Sequence, residues 1–162
     1  MKPVFAPSSI AVIGASRRPG QLGREIVHNL RTSGYTGSLY AINPNAPEID
    51  GVRAYASLRD VGEPIDMAII AVPAELVELA LDDCIANGVA AVVVISAGFG
   101  EVGEEGRQRE AALVEKIRKA GIRMVGPNCM GVINTDPDVR LNATFGPAFP
   151  PHGRVAFSSQ SG

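Results

Sequence analysis

Short, unbroken apolar runs alternate along this chain with stretches of helical period, and that alternation limits the fold more than any other feature. The runs are Ile10-Ala11-Val12-Ile13, Leu39-Tyr40-Ala41-Ile42, Met67-Ala68-Ile69-Ile70-Ala71-Val72, Ala91-Val92-Val93-Val94-Ile95 and the shorter Arg123-Met124-Val125. A strand with one wet face alternates apolar and polar side chains. These runs do not alternate, so they suit strands buried on both faces of a parallel sheet. Between them, the spacing predicts helices over Gly23–Ser33, Ala74–Asn87 and Glu104–Ala120. Gly34, Asn87-Gly88 and Gly121 act as stops. The last helix begins acidic and ends with Lys116, Arg118 and Lys119, which matches the helix dipole at both ends. Leu76, Val77, Ala80, Leu81 and Ile85 recur at helical spacing and are expected to pack. Strands alternating with helices of this length imply β-α-β units, hence an α/β fold with a doubly wound, mostly parallel sheet.

The 162 residues suffice for one ordinary domain, and 46% are hydrophobic, enough for a core. A net charge of −2 gives no global attraction to nucleic acid or an anionic membrane. Low aromatic content, 5% with no Trp, leaves few stacking surfaces for single strands, so no nucleic acid is expected as a partner. The longest apolar run, Val89–Ile95, is far short of a membrane span, and no membrane partner is expected. Met1–Ser9 lacks the residue order of a signal peptide. Cys84 and Cys129 are too few for a disulfide framework or a metal cage. A cytoplasmic location is the expectation.

Asn134–Gly153, rich in proline, reads as a long irregular connection. Arg154–Ser158 reads as one more strand, and Ser159-Gln160-Ser161-Gly162 as a β-α turn that opens a further element. The expected division is therefore a binding domain over 1–153 and the truncated start of a following domain over 154–162.

Ligands of doubly wound sheets bind beyond the carboxyl ends of the strands, so the loops there carry the chemistry. The first is Gly14-Ala15-Ser16-Arg17-Arg18-Pro19-Gly20-Gln21-Leu22-Gly23. Glycine allows close backbone approach, the following helix offers free N–H groups to an anion, and Arg17 and Arg18 add charge for phosphates. The second ends in Asn43-Pro44-Asn45. A dinucleotide site usually carries an acid at this strand tip for the ribose 2′-hydroxyl, and none is present. The third ends in Val72-Pro73, with Pro73 suited to a helix start. The fourth ends in Ser96-Ala97-Gly98-Phe99-Gly100, the fifth in Gly126-Pro127-Asn128-Cys129-Met130-Gly131.

Together these loops resemble the CoA-binding domain of the NDP-forming acyl-CoA synthetase superfamily, which includes the succinyl-CoA synthetase alpha subunit. The fold of that domain is Rossmann-like. The resemblance runs from Ile10 to Gly162, and Gly126–Gly131 is its most specific piece, close to the family's G-P-N-C-x-G. Gly131–Thr135 and Arg140–Phe145 look like the large fused members, in which this domain is joined to ligase and ATP-grasp domains and sometimes to an acetyltransferase domain. The resemblance implies that Gly14 and Ser16 to Gly20, including Arg17, Arg18 and Pro19, hold the phosphates of coenzyme A. It places Asn43 and Pro44 near the adenosine, Val72 and Pro73 beside the nucleotide or pantetheine arm, Ser96, Ala97 and Gly98 on pantetheine, and Asn128 and Cys129 near the thiol. Where succinyl-CoA synthetase has a lysine soon after the proline that matches Pro44, this chain has Asn45 and Ala46; where it has Thr-Glu-Gly, this chain has Ser96-Ala97-Gly98. Both departures favour the ADP-forming acetyl-CoA synthetase and fused branch.

The family reaction converts acyl-CoA, ADP and phosphate to acid, CoA and ATP through a phosphohistidine, which would lie past Gly162. ATP, ADP and magnesium would be held by domains outside this sequence. His28 sits mid-helix and His152 in the Pro-rich connection, so neither suits that role. Nothing supplies Cys129 with a base, and it reads as a pocket-lining thiol. No catalytic residue is expected here. Two other readings stay open: a CoA- or acyl-CoA-sensing module of a fused protein acetyltransferase, and an NAD(P)-binding dehydrogenase domain.

Overall fold

The computed structural model describes residues 1–160. Its seven-stranded sheet has the order β3-β4-β2-β1-β5-β6-β7. These strands are β1 (Ser9–Ile13), β2 (Ser38–Ile42), β3 (Glu48–Ile49), β4 (Val52–Tyr55), β5 (Met67–Ile70), β6 (Ala91–Val94) and β7 (Arg123–Val125). All pairings are parallel except β3 with β4. The helices are α1 (Lys2–Phe5), α2 (Leu22–Ser33), α3 (Ala74–Ala86) and α4 (Glu104–Ala120). The apolar runs are therefore strands, and the helical stretches are helices, with ends within a residue of expectation except at β5, which stops at Ile70, two residues before Val72.

Side chains of successive strand residues leave the sheet on opposite faces, and two cores result. Ile10, Val12, Ile69 and Val93 meet Ile26, Val27 and Leu30 of α2 on one face. Ala11, Ala68, Ile70, Val92 and Val94 meet Val77, Leu81 and Cys84 of α3 and Leu113 and Ile117 of α4 on the other. A side chain such as Ile10 or Ile69, fully removed from water, contributes roughly 1.5–3 kcal/mol. No helix among the described residues is long and apolar enough to cross a membrane.

Two segments depart from expectation. Asn134–Gly153 is not wholly irregular. β9 (Leu141–Thr144) within it pairs antiparallel with β8 (Gly131–Asn134), and this hairpin covers the face that α2 occupies. β9 alternates apolar and polar residues in sequence (Leu141, Asn142, Ala143, Thr144), yet all four are buried. Thr144 donates to the Asn142 side chain, and Asn29 of α2 donates to the carbonyls of Thr144 and Gly146. Arg154–Ser158 forms no strand. It has no paired neighbour among the described residues, and Val155 and Phe157 stand in solvent. The expected turn at Ser159–Gly162 extends to Ser161 and Gly162, which lie outside the described residues.

The small hairpin β3–β4 turns at Asp50-Gly51, where both residues have positive φ (50° and 79°). Asp50 ties this hairpin to α2 through Arg24 (2.9 Å), His28 (3.0 Å) and Arg31 (3.1 Å). His28 is thus a structural partner. Burial raises the Asp50 carboxyl, but hydrogen bonds from His28 and Arg31 and the charges of Arg31 and Arg24 outweigh it and hold the group below its ordinary value.

Candidate functional site

From β1 the chain passes through α2 to β2 on one side; from β5 it passes through α3 to β6 on the other. The order reverses between β1 and β5, and the loops beyond their carboxyl ends part there, as expected at a ligand crevice. A cleft of about 650 Å³ opens at this point. Ile13, Gly14 and Ala15 after β1, Ile42 to Asn45 after β2, and Val72 after β5 form its floor and one wall. Ala56 and Ser57 and the outer side of α3 form the other.

The loop after β1 is shaped by close packing. A β-carbon on Gly14 (φ 87°) would meet the Ala71 carbonyl at 2.4 Å, and one on Gly23 would meet the Gly14 carbonyl at 2.2 Å. The first turn of α2 can lie against the end of β1 only without those carbons. The intervening Arg17, Arg18, Pro19 and Gly20 are exposed, with Ser16 half-buried. The Ser16 hydroxyl accepts from the Arg18 amide (3.1 Å). Neither arginine forms an ion pair among the described residues. The loop therefore presents two uncompensated cations beside the helix N-terminus, an arrangement suited to phosphate oxygens.

Asn43 closes the tip of β2. Its amide donates to the Ala15 carbonyl (2.7 Å), and its side-chain oxygen accepts from the Asn45 amide (2.7 Å). It joins the loops after β1 and β2 and leaves no acid at the strand tip. Pro44 is exposed on the cleft edge, and Pro73 caps α3, where Leu76 N–H donates to its carbonyl.

The loops after β6 and β7 form a second group, stitched to the first. The Ser96 hydroxyl, buried, donates to the Val72 carbonyl (2.5 Å). The Asn128 amide donates to the Ser96 carbonyl (3.0 Å), and the Cys129 thiol to that of Val94 (3.3 Å). Gly98 donates its amide to Glu101 and accepts at its carbonyl from Arg109. Ala97 and Asn128 face solvent. Burial pushes the Cys129 thiol up, so at neutral pH it is protonated and a weak nucleophile. Gly14, Asn43, Pro44 and Val72 thus line the cleft. Ser16 to Gly20, Ala97, Gly98, Asn128 and Cys129 lie in loops outside its lining, with the Ser96 side chain spent on the protein itself.

The α3 wall was not anticipated. Leu76, expected to pack in the core, is 46% exposed and Leu79 is 69% exposed, and both line the cleft. The sequence held a signal: these leucines lie outside the stripe of Val77, Ala80, Leu81 and Cys84 that suffices to bury the helix. Asp82 and Asp83 also line the cleft, but Asp82 pairs with Lys116 (2.8 Å) and Asp83 with the Asn87 amide (2.9 Å).

Comparison with known proteins decides the family. The CoA binding domain family matches residues 8–135. The chain belongs to this family. It is 47% identical over 162 residues to acetate–CoA ligase [ADP-forming] I of Archaeoglobus fulgidus, covering 100% of this chain and 23% of that protein. It is 45% identical over 166 residues to the alpha subunit of acetate–CoA ligase [ADP-forming] I of Pyrococcus furiosus, covering 100% of this chain and 36% of that subunit. The dinucleotide forming acetyl-coenzyme A synthetase 1 of Ca. Korarchaeum cryptofilum, solved in complex with phosphate and ADP, shares the fold with a TM-score of 0.83. Its identity is 43%, over 90% of this chain and 31% of that one. The CoA-binding domain described here thus spans between about a quarter and a third of the curated relatives it matches.

Proposed function

We propose that this domain binds coenzyme A across the carboxyl ends of β1, β2, β5 and β6, as the CoA-holding part of an ADP-forming acyl-CoA synthetase. The observation that carries the reading is the pairing of a mostly apolar cleft with the unpaired Arg17 and Arg18, at the switch point of a chain of this family. Coenzyme A has the matching chemistry: a flat heterocycle and an uncharged arm, separated by phosphates. The Ser16–Gly20 loop, with Gly14 and Pro19, receives the phosphates. Asn43 and Pro44 border the adenosine, and Val72 and Pro73 flank the ligand where it crosses from one loop group to the other. Ala97 and Gly98, held by Ser96, border pantetheine, and Asn128 and Cys129 lie at the thiol end. Asn43 supports the same choice over a dinucleotide, because a neutral amide with both ends engaged gives a ribose diol no carboxylate.

Residues 1–153 form the domain in this reading. Ligase and ATP-grasp domains, in the same or a partner chain, supply ATP or ADP, magnesium and the phosphate-carrying residue. This domain positions CoA and is not catalytic alone. The two unpaired thiols suit a reducing cytoplasm. Amide chemical-shift mapping with CoA tests the site. Shifts are expected at Gly14, Ser16–Arg18, Gly20, Asn43, Val72 and Ala97–Gly98, with none on the outer face of α4. Shifts confined elsewhere would refute it.

A further inference from the structure

Gly20 is an exposed residue with a φ of 78°, and a β-carbon built on it would meet nothing within 4 Å. Its amide is nevertheless occupied: it donates to the Glu25 carboxylate of α2 at 2.9 Å. Glu25 has no ion pair among the described residues, although Arg17 and Arg18 are close in sequence and themselves unpaired. A carboxylate in the first turn of a helix, on a backbone N–H, sits where an incoming anion would gain most. We propose that Glu25 is a placeholder. Its carboxylate closes the Gly20 amide while the loop is empty, and it must swing away for a phosphoryl group to take that donor. The inference rests on the reading of the Ser16–Gly20 loop as a phosphate site, and adds a gate to it.

The loop after β6 shows the contrast. There Glu101 also accepts from backbone amides, those of Gly98 and Phe99. That loop is also fastened by Arg109 to the Gly98 carbonyl and by Glu110 to the Gly100 amide. A β-carbon on Gly98 would lie 2.7 Å from Ala74. Glu101 is one fastening in a packed loop. Glu25 holds a loop that is open around Gly20. Two anions cannot share one N–H donor without mutual repulsion, so Glu25 lowers affinity for phosphoryl ligands while steadying the empty loop.

The sign of one substitution separates a gate from a simple loop cap. Glu25→Gln keeps the shape and an accepting oxygen but removes the charge. CoA and inorganic pyrophosphate are titrated calorimetrically into the whole chain, wild type and variant, at low and moderate salt. The gate predicts affinity for both ligands up roughly three- to tenfold in the variant, the gain shrinking as salt rises. Glu25→Ala should likewise bind more tightly, yet melt at a lower temperature when empty. Unchanged or weaker binding in Glu25→Gln, with CoA bound normally by the wild type, would overturn the gate and leave the proposed function standing. A gain for pyrophosphate with CoA bound by neither protein would sustain the gate and overturn the CoA reading. Failure of both ligands to bind either protein would overturn both.

Discussion

The α-carbon of Gly23 lies against the carbonyl of Gly14, so close that a β-carbon on Gly23 would stand 2.2 Å from that oxygen. Helix α2 is seated on the end of β1 by this contact, and the Arg17–Arg18 loop is strung between the two glycines. Gly23→Ala should force helix and strand apart. The expected cost is about 1–3 kcal/mol in denaturant unfolding, with CoA affinity falling further than stability alone explains, because the loop changes shape. Retention of wild-type stability would show that the loop absorbs the strain.

Asp50 fastens the β3–β4 hairpin to α2 with three donors. Asp50→Asn should cost about 1–3 kcal/mol, since Arg24 and Arg31 then face each other without their anion. The pH dependence has a fixed sign. The folded-state carboxyl titrates below its ordinary 3.8, so the unfolded chain takes up the proton first as pH falls. The stabilisation is complete above that value and is lost as pH drops through the lower folded value. Thermal melts between neutral pH and acid should therefore converge for wild type and variant in strong acid. A constant gap would contradict this assignment.

The Arg17 and Arg18 side chains form no ion pair among the described residues, so replacing either costs the fold little. Arg17→Ala or Arg18→Ala should leave the melting temperature nearly unchanged and weaken CoA on the order of tenfold each, with the salt dependence of binding reduced. Weakening that is equal for CoA and for dephospho-CoA would place the arginines on the pyrophosphate; a loss confined to CoA would place them on the 3′-phosphate.

Ser96 joins the loops after β5 and β6 through the Val72 carbonyl. Ser96→Ala removes a buried hydrogen bond and leaves that carbonyl without it, for about 1–3 kcal/mol in stability. A CoA-binding loss well beyond the stability loss would mark the junction as part of the ligand path. Equal losses would mark it as scaffold.

The central strands and their helices were legible because strands covered on both faces are uniformly apolar, and the loops between them inherit their place from the topology. The β3–β4 hairpin was missed although it carries a hairpin signal, Asp50-Gly51 between Ile49 and Val52. With a two-residue strand on one side, it offers no period to count. β9 was missed although Leu141–Thr144 alternates apolar and polar residues, because four residues inside a proline-rich stretch give too short a period to count; in the fold Asn142 and Thr144 are buried and hydrogen-bonded to each other. Arg154–Ser158 shows the converse, since alternation without a neighbour to pair with does not make a strand. At the site, the placement of the loops beyond the strand ends could be read from the order of the apolar runs. The Leu76 and Leu79 wall could not, because it depends on how α3 is rotated about its axis.

The most direct test of the account is a parallel calorimetric titration of the chain with CoA, dephospho-CoA and NAD. The account predicts binding of CoA, weaker binding of dephospho-CoA and none of NAD. Binding of NAD without CoA would contradict it and return the cleft at the β1–β5 switch point to the dinucleotide enzymes.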